Sequence, residues 1–251
     1  MVQVTINGIA LAYSDTGGGL PIVFLHAFPL NRTMWVQQEA DLSTHCRVIT
    51  IDLRGHGESD APLWHYSLDQ AAEDVRALLD HLSIRQAVFV GLSMGGYILF
   101  AFYRRHAERV KGLVLADTRA QADTPEGKES RFQMAQTAYK HGPAAIADIM
   151  IPKLLSPETI RTRPETVQRV RMMIEGNQVS GIAGDLMAMA ERPDSIPLLK
   201  QIICPTQIVV GEMDHATPLA DAKLMADQIP GARLAIIPEA AHLANLEQPK
   251  L

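Results

Sequence analysis

Short apolar runs recur along the chain without the alternation of a half-exposed strand, which predicts strands buried on both faces of a parallel sheet. Between them, apolar residues return at helical spacing, as in residues 67–82, which begin with the capping pair Ser67 and Gln70. Strands that alternate with helices predict an α/β fold, a mostly parallel sheet flanked by helices. The buried strands are expected at residues 22–25, 48–51, 87–90, 113–116, 207–210 and 234–237, after two short strands within residues 1–17.

One long segment departs from this alternation. Residues 118–197 contain helical patterns interrupted by prolines and no convincing buried strand. We therefore predict a helical cap inserted between two core strands, with residues 1–117 and 198–251 forming the core and residues 118–197 the cap. Six of the eleven methionines lie in this segment, either as an adaptable apolar pocket or as ordinary core packing.

Composition narrows the functional classes. The 251 residues suit one sizeable core, and 47% apolar with 20% charged residues is typical of a globular protein. A net charge of −5 without a basic cluster argues against a nucleic-acid partner. The apolar stretches are shorter than the roughly 20 residues of a membrane span, and the first residues do not resemble a signal peptide. We expect a cytoplasmic protein with reduced cysteines and a small-molecule substrate, and the oligomeric state stays open.

The candidate nucleophile is Ser93. It lies in the pattern Gly91-x-Ser93-x-Gly95, between an expected strand and the helical residues 97–106. A serine on so sharp a strand-to-helix turn is exposed above the sheet, and the glycines are needed because side chains there would collide with the adjoining strand and helix. A glycine-rich turn without chemistry is the alternative interpretation.

A serine needs a base to accept its proton, and histidine suits that role near neutral pH. His242 follows the last buried run, at the edge of a parallel sheet where ligands gather. Asp214 follows the strand at 207–210 and is expected to orient the imidazole. Glu212 and Asp117 also lie at strand ends and remain competitors.

Cleavage of an ester places negative charge on the carbonyl oxygen, which backbone N–H groups must stabilise. We expect one donor to be the N–H of Met94, the residue after the serine. The second is expected from the loop after the first buried strand, where we choose Phe28. His26 in that loop is expected to brace it through hydrogen bonds rather than to react.

At this level of detail the chain resembles the α/β-hydrolases, most closely small bacterial carboxylesterases and oxoadipate enol-lactonase-like proteins. The family usually has glycine where this chain has Ala27 and Ala241. The resemblance implies the order Ser, Asp, His for the catalytic residues and hydrolysis of esters or lactones, including N-acyl homoserine lactones. The residues that carry this resemblance are 26–29, 52–59, 91–96 and 211–214, and His242 with Glu247, Gln248 and Pro249.

The leading hypothesis is a serine hydrolase that cleaves carboxylic esters of short to medium acyl chains through an acyl-enzyme, without a metal or organic cofactor. A lactonase with the same three residues is the first alternative. Epoxide hydrolases and haloalkane dehalogenases are disfavoured because they use a carboxylate nucleophile. A small-molecule receptor on a hydrolase fold is the alternative from another class.

Overall fold

A computed structural model describes residues 2–63 and 66–251. Eight strands form one sheet in the order β1-β2-β4-β3-β5-β6-β7-β8. The strands β1 and β2 pair antiparallel, as do β2 and β4, whereas all other neighbours run parallel. The bounds are β1 (Val2–Ile6), β2 (Ile9–Gly17), β3 (Pro21–Leu25), β4 (Arg47–Ile51), β5 (Ala87–Leu92), β6 (Val110–Ala116), β7 (Thr206–Gly211) and β8 (Arg233–Ile237).

Each predicted buried strand is present, extended by one to three residues at one or both ends. The central strand β5 lies between β3 and β6. On one face, Phe89 of β5 stacks on Phe102 with ring centroids 4.8 Å apart. Because the strands from β3 to β8 are parallel, the segments after them meet at one edge, which we call the carboxyl edge.

The helices cover the sheet and form the inserted segment. Ser67 accepts a hydrogen bond from the N–H of Gln70 at 3.1 Å, so the expected helix begins where the capping signature places it. The helices are α1 (Val36–Leu42), α2 (Leu68–His81), α3 (Met94–His106), α4 (Pro125–Leu154), α5 (Pro157–Thr162), α6 (Pro164–Glu175), α7 (Val179–Ala190), α8 (Ile196–Leu199), α9 (Leu219–Gln228) and α10 (Ala244–Glu247).

Helices α4 to α8 lie between β6 and β7, which confirms a helical insertion between two core strands. We call Pro125–Leu199 the insertion. Three of its prolines begin helices rather than end them, because the first turn of a helix does not need their missing N–H. Within α4 the bend is at Gly142, whose φ of 77° departs from helical geometry just before Pro143.

No helix of residues 2–63 and 66–251 is both long and apolar enough to cross a membrane. The thiols of Cys46 and Cys204 are both free. The insertion's methionines do not share one environment: Met173 and Met189 are buried, while Met172 is 64% exposed. Core packing therefore accounts for at least the two buried ones.

Candidate active site

Ser93 directly follows β5 in a strained backbone conformation, with φ 56° and ψ −111°, and leads into α3. Such a conformation is costly for a residue with a side chain and persists only where surrounding contacts hold it. The N–H of Ser93 donates to Ala116 O at 2.9 Å, and its carbonyl accepts from Thr118 Oγ1 at 2.8 Å and from Gly96 N at 2.9 Å. The turn is thus held to the end of β6.

The two motif glycines are sterically required. A Cβ on Gly91 would lie 2.6 Å from the backbone of Gly95, and a Cβ on Gly95 would overlap the carbonyl oxygen of Leu25 in β3. The collisions with strand and helix that the sequence predicts are therefore present. Without these side chains, α3 begins close enough to β3 and β5 to present Ser93 at the carboxyl edge.

His242 and Asp214 are in direct contact. The imidazole Nδ1 lies 2.9 Å from Asp214 Oδ2, and both residues are buried. Thr217 Oγ1 donates to the same carboxylate oxygen at 2.6 Å, while Oδ1 accepts the N–H groups of Ala216 and Thr217 at 2.8 and 3.0 Å. Because Nδ1 is the donor, Nε2 of His242 keeps its lone pair and can accept a proton.

Burial by itself would raise the pKa of Asp214. The hydrogen bond and electrostatic interaction with His242, together with the hydrogen bonds from Thr217, outweigh burial and hold the pKa of Asp214 below its usual value. The carboxylate therefore stays ionised behind the imidazole, as an orienting acid requires.

The two competing carboxylates have other partners. Glu212 is exposed and accepts a hydrogen bond from Glu239 N at 3.3 Å. Asp117 is buried and accepts the N–H of Gly211 at 2.7 Å, and burial followed by the charge of Asp214 raises its pKa well above the usual value. Asp117 therefore fixes the start of the turn that carries Asp214.

The loop after β3 is braced by His26, as expected. Its Nδ1 donates to Ala27 O at 2.9 Å, and its Nε2 accepts from Leu53 N at 3.1 Å. Burial, followed by the charge of His56, lowers the pKa of His26 well below its usual value, so the ring is neutral. With both nitrogens engaged, His26 is a structural residue of this loop.

Within that loop the N–H of Ala27 is directed at Met34 Sδ, 3.3 Å away. The next peptide N–H belongs to Phe28, the predicted oxyanion donor, which is joined to Pro29 by a cis bond. The methyl group of Ala27 is fully buried. Met94, the other predicted donor, is the first residue of α3 and directly follows Ser93.

The structure thus brings Asp214 and His242 together, and it places Ser93, Met94 and Phe28 after strands β5 and β3 at the same edge of the sheet.

Comparison with known proteins identifies the family of the chain. The family described as the alpha/beta hydrolase fold matches residues 21–249. The chain belongs to this family. The predicted fold and the prediction of a hydrolase are therefore confirmed.

Among α/β hydrolases, the chain is 32% identical over 249 residues to 3-oxoadipate enol-lactonase 2 of Acinetobacter baylyi, covering 98% of this chain and 91% of that protein. A thermophilic esterase from Thermogutta terrifontis, with malate bound, superposes with a TM-score of 0.95 at 42% identity, covering 99% and 93% of the two chains. Est816, an N-acyl homoserine lactone degrading enzyme, superposes with a TM-score of 0.83 at 32% identity, covering 99% and 96%.

Sequence reasoning assigned no role to several residues that support this edge. Glu247 is buried, and its carboxylate accepts Ala241 N at 2.6 Å and Ser156 N at 2.8 Å, which ties the loop of His242 to the insertion. Thr217 and Asn177 were not among the candidate residues. Glu247 and Asn177 act through contacts with distant segments, which no local pattern reveals, whereas the contacts of Thr217 with Asp214 span three residues.

Proposed function

We propose that the chain hydrolyses carboxylic esters through an acyl-enzyme, with Ser93 as nucleophile, His242 as base and Asp214 as its orienting acid. The observation that carries the proposal is the buried contact of His242 with Asp214, at the same edge of the sheet as the strained turn of Ser93. A serine in such a turn, and a histidine held through Nδ1 by an ionised aspartate, are the parts that this chemistry needs.

In the first step Ser93 Oγ forms a bond to the carbonyl carbon while His242 Nε2 takes the hydroxyl proton. The carbonyl electron pair moves onto the oxygen, which the N–H groups of Met94 and Phe28 stabilise. As the tetrahedral intermediate collapses, the bond to the leaving alcohol breaks and Nε2 returns the proton to that alcohol. Water then repeats the same steps on the acyl-serine and releases the acid.

The predicted enzyme class, a carboxylic ester or lactone hydrolase, is supported by relatives of both kinds. Lactone opening is the second candidate, because an enol-lactonase is 32% identical over nearly the whole chain. The chemistry is the same, except that the leaving alcohol stays tethered to the acid. We also propose that residues 118–197 act as a cap over the site and that residues 1–117 and 198–251 form the core. The cytoplasmic location remains a prediction.

The test compares the wild-type protein with Ser93→Ala on a panel of chromogenic esters of increasing acyl length and lactones of increasing ring size. We expect turnover in the wild type, its loss in Ser93→Ala with an unchanged thermal unfolding midpoint, and covalent labelling of Ser93 by a p-nitrophenyl alkyl phosphonate, which transfers its phosphonyl group to Ser93 Oγ and releases p-nitrophenolate. Turnover retained by Ser93→Ala would overturn the proposal. The ratio of ester to lactone turnover ranks the two substrate classes.

A further inference from the structure

Asn177 connects the insertion to the loop after β3. It lies in the turn between α6 and α7 and is only 4% exposed. Its Nδ2 donates to Pro29 O at 2.7 Å and lies 3.4 Å from Leu30 O, while its Oδ1 accepts the N–H of Gly57 at 2.7 Å. One side chain of the insertion therefore holds two separate loops of the core, 148 and 120 residues away along the chain.

These neighbours determine which way the amide points. Carbonyl oxygens need a donor and a peptide N–H needs an acceptor, so only one orientation of the Asn177 amide satisfies Pro29 and Gly57 together. A carboxylate of the same shape would keep the acceptor for Gly57 but would place an oxygen against the carbonyl of Pro29. Buried polar groups left without a partner are costly, so this arrangement requires an amide.

The loop held by Asn177 is the one that carries Phe28. From the core side it is fixed by His26, and its own turn is closed by a hydrogen bond from Leu30 N to Ala27 O at 2.9 Å. Asn177, from the insertion, donates to the carbonyl of Pro29, the residue directly after Phe28. The loop that carries the Phe28 N–H is therefore held by the insertion as well as by the core.

We propose that Asn177 is a positioning residue for the oxyanion loop, residues 26–31, which carries the Phe28 N–H. The insertion then contributes to transition-state stabilisation and not only to covering the substrate. The inference rests on the function proposed above. A displacement of about 1 Å in catalytic geometry can cost on the order of 100-fold in rate, so a single brace remote from the chemistry can have a large effect.

The test uses two changes at this position, Asn177→Asp and Asn177→Ala, in the full chain. The matched control is Ser180→Ala, three residues further on, which removes a different hydrogen bond from the insertion to the core, from Ser180 Oγ to Ala61 O at 3.1 Å. For each variant, kcat and KM are measured on one ester, with the inhibition constant of a trifluoromethyl ketone. The carbonyl carbon of that ketone forms a bond to Ser93 Oγ, and the resulting oxyanion is held by the proposed donors, the N–H groups of Met94 and Phe28.

We expect both Asn177 variants to lower kcat by about 10- to 100-fold, with KM changed by less than about threefold, because the negative charge on the carbonyl oxygen is absent from the bound substrate and develops only towards the tetrahedral intermediate. The trifluoromethyl ketone should bind more weakly by a similar factor. Ser180→Ala should leave all three quantities near wild type. A lowered unfolding midpoint with unchanged kcat and unchanged ketone binding is what a merely structural role predicts, and it would overturn the inference.

A measurement on the wild type covers the case in which neither variant folds. Hydrogen exchange with the ketone bound should show added protection both in residues 26–31 and in residues 175–181, and protection confined to residues 26–31 would overturn the inference. If turnover in the wild type does not depend on Ser93, the proposed function fails and the inference with it. If turnover depends on Ser93 and the Asn177 variants match Ser180→Ala, only the inference fails.

Discussion

Replacing Asp214 by asparagine should move the proton of the neutral His242 imidazole from Nδ1 to Nε2. Asp214 Oδ1 accepts two backbone N–H groups, from Ala216 and Thr217, which will retain the amide oxygen of an asparagine. The new NH2 group then replaces Oδ2 and faces His242 Nδ1 and the hydroxyl of Thr217. A donor at this position requires Nδ1 to accept, so the proton moves to Nε2, the atom that must receive the proton of Ser93.

The size of the effect follows from that change of tautomer. An imidazole with its proton on Nε2 cannot act as general base, and the imidazolium that forms during attack loses its ionised partner. In a serine protease the same exchange of acid for amide lowers turnover about 10⁴-fold. Each factor of ten corresponds to about 1.4 kcal/mol, so we expect Asp214→Asn to lose about 5 kcal/mol of transition-state stabilisation.

The assay is kcat/KM on a chromogenic ester between about pH 6 and pH 9, with the unfolding midpoint as a check that the variant folds. Glu212→Gln is the matched control, because it removes an exposed carboxylate from the same turn. We expect wild-type turnover from the control. An Asp214→Asn protein that is folded and within about tenfold of wild type would refute the assignment of Asp214, as would a large loss in Glu212→Gln.

Two further predictions concern the support of the site. Because burial and a neighbouring negative charge raise the pKa of Asp117, the folded protein holds that proton more tightly than the unfolded chain does, so stability falls as pH rises from about 4 towards the raised pKa. An asparagine at position 117 can still accept the N–H of Gly211. Relative to wild type, the free energy of unfolding of Asp117→Asn, measured in urea, should increase by up to about 1.4 kcal/mol per pH unit in that range. A difference between the two proteins that is constant with pH would contradict this. Gly95→Ala should lower both the unfolding midpoint and turnover, because its methyl group overlaps the carbonyl of Leu25, whereas Gly18→Ala, which meets open space, should change neither. Wild-type turnover in Gly95→Ala would mean that α3 can begin elsewhere.

Two buried acids at the carboxyl edge, Asp214 and Asp117, differ in the direction of their pKa shifts because their surroundings differ. Asp214 has four hydrogen-bond donors around its two oxygens and a lowered pKa, whereas Asp117, also buried and close enough to feel its charge, has a raised one. The pKa values of two acids at the ends of neighbouring strands therefore shift in opposite directions, because only Asp214 has an imidazole and a hydroxyl as partners.

The sequence was sufficient for the α/β fold, the buried strands and the position of Ser93. These features depend on local information: apolar runs that only a two-sided sheet can bury, a capping serine at 67, and glycines that a tight strand-to-helix turn demands. The parallel order also implied that segments distant in sequence, such as those ending in Asp214 and His242, would meet at one edge.

Tertiary structure alone decided which acid contacts the imidazole and what holds the oxyanion loop. Glu212, Asp214 and Asp117 all follow strands, and only the packed loops direct one of them at His242. Asn177 lies in a polar turn with no distinguishing pattern, and its role arises because α6 and α7 place it over Pro29. Hydrophobic periodicity specifies which elements form and which faces are buried, but the direction of a single polar side chain is fixed by contacts between elements far apart in the chain.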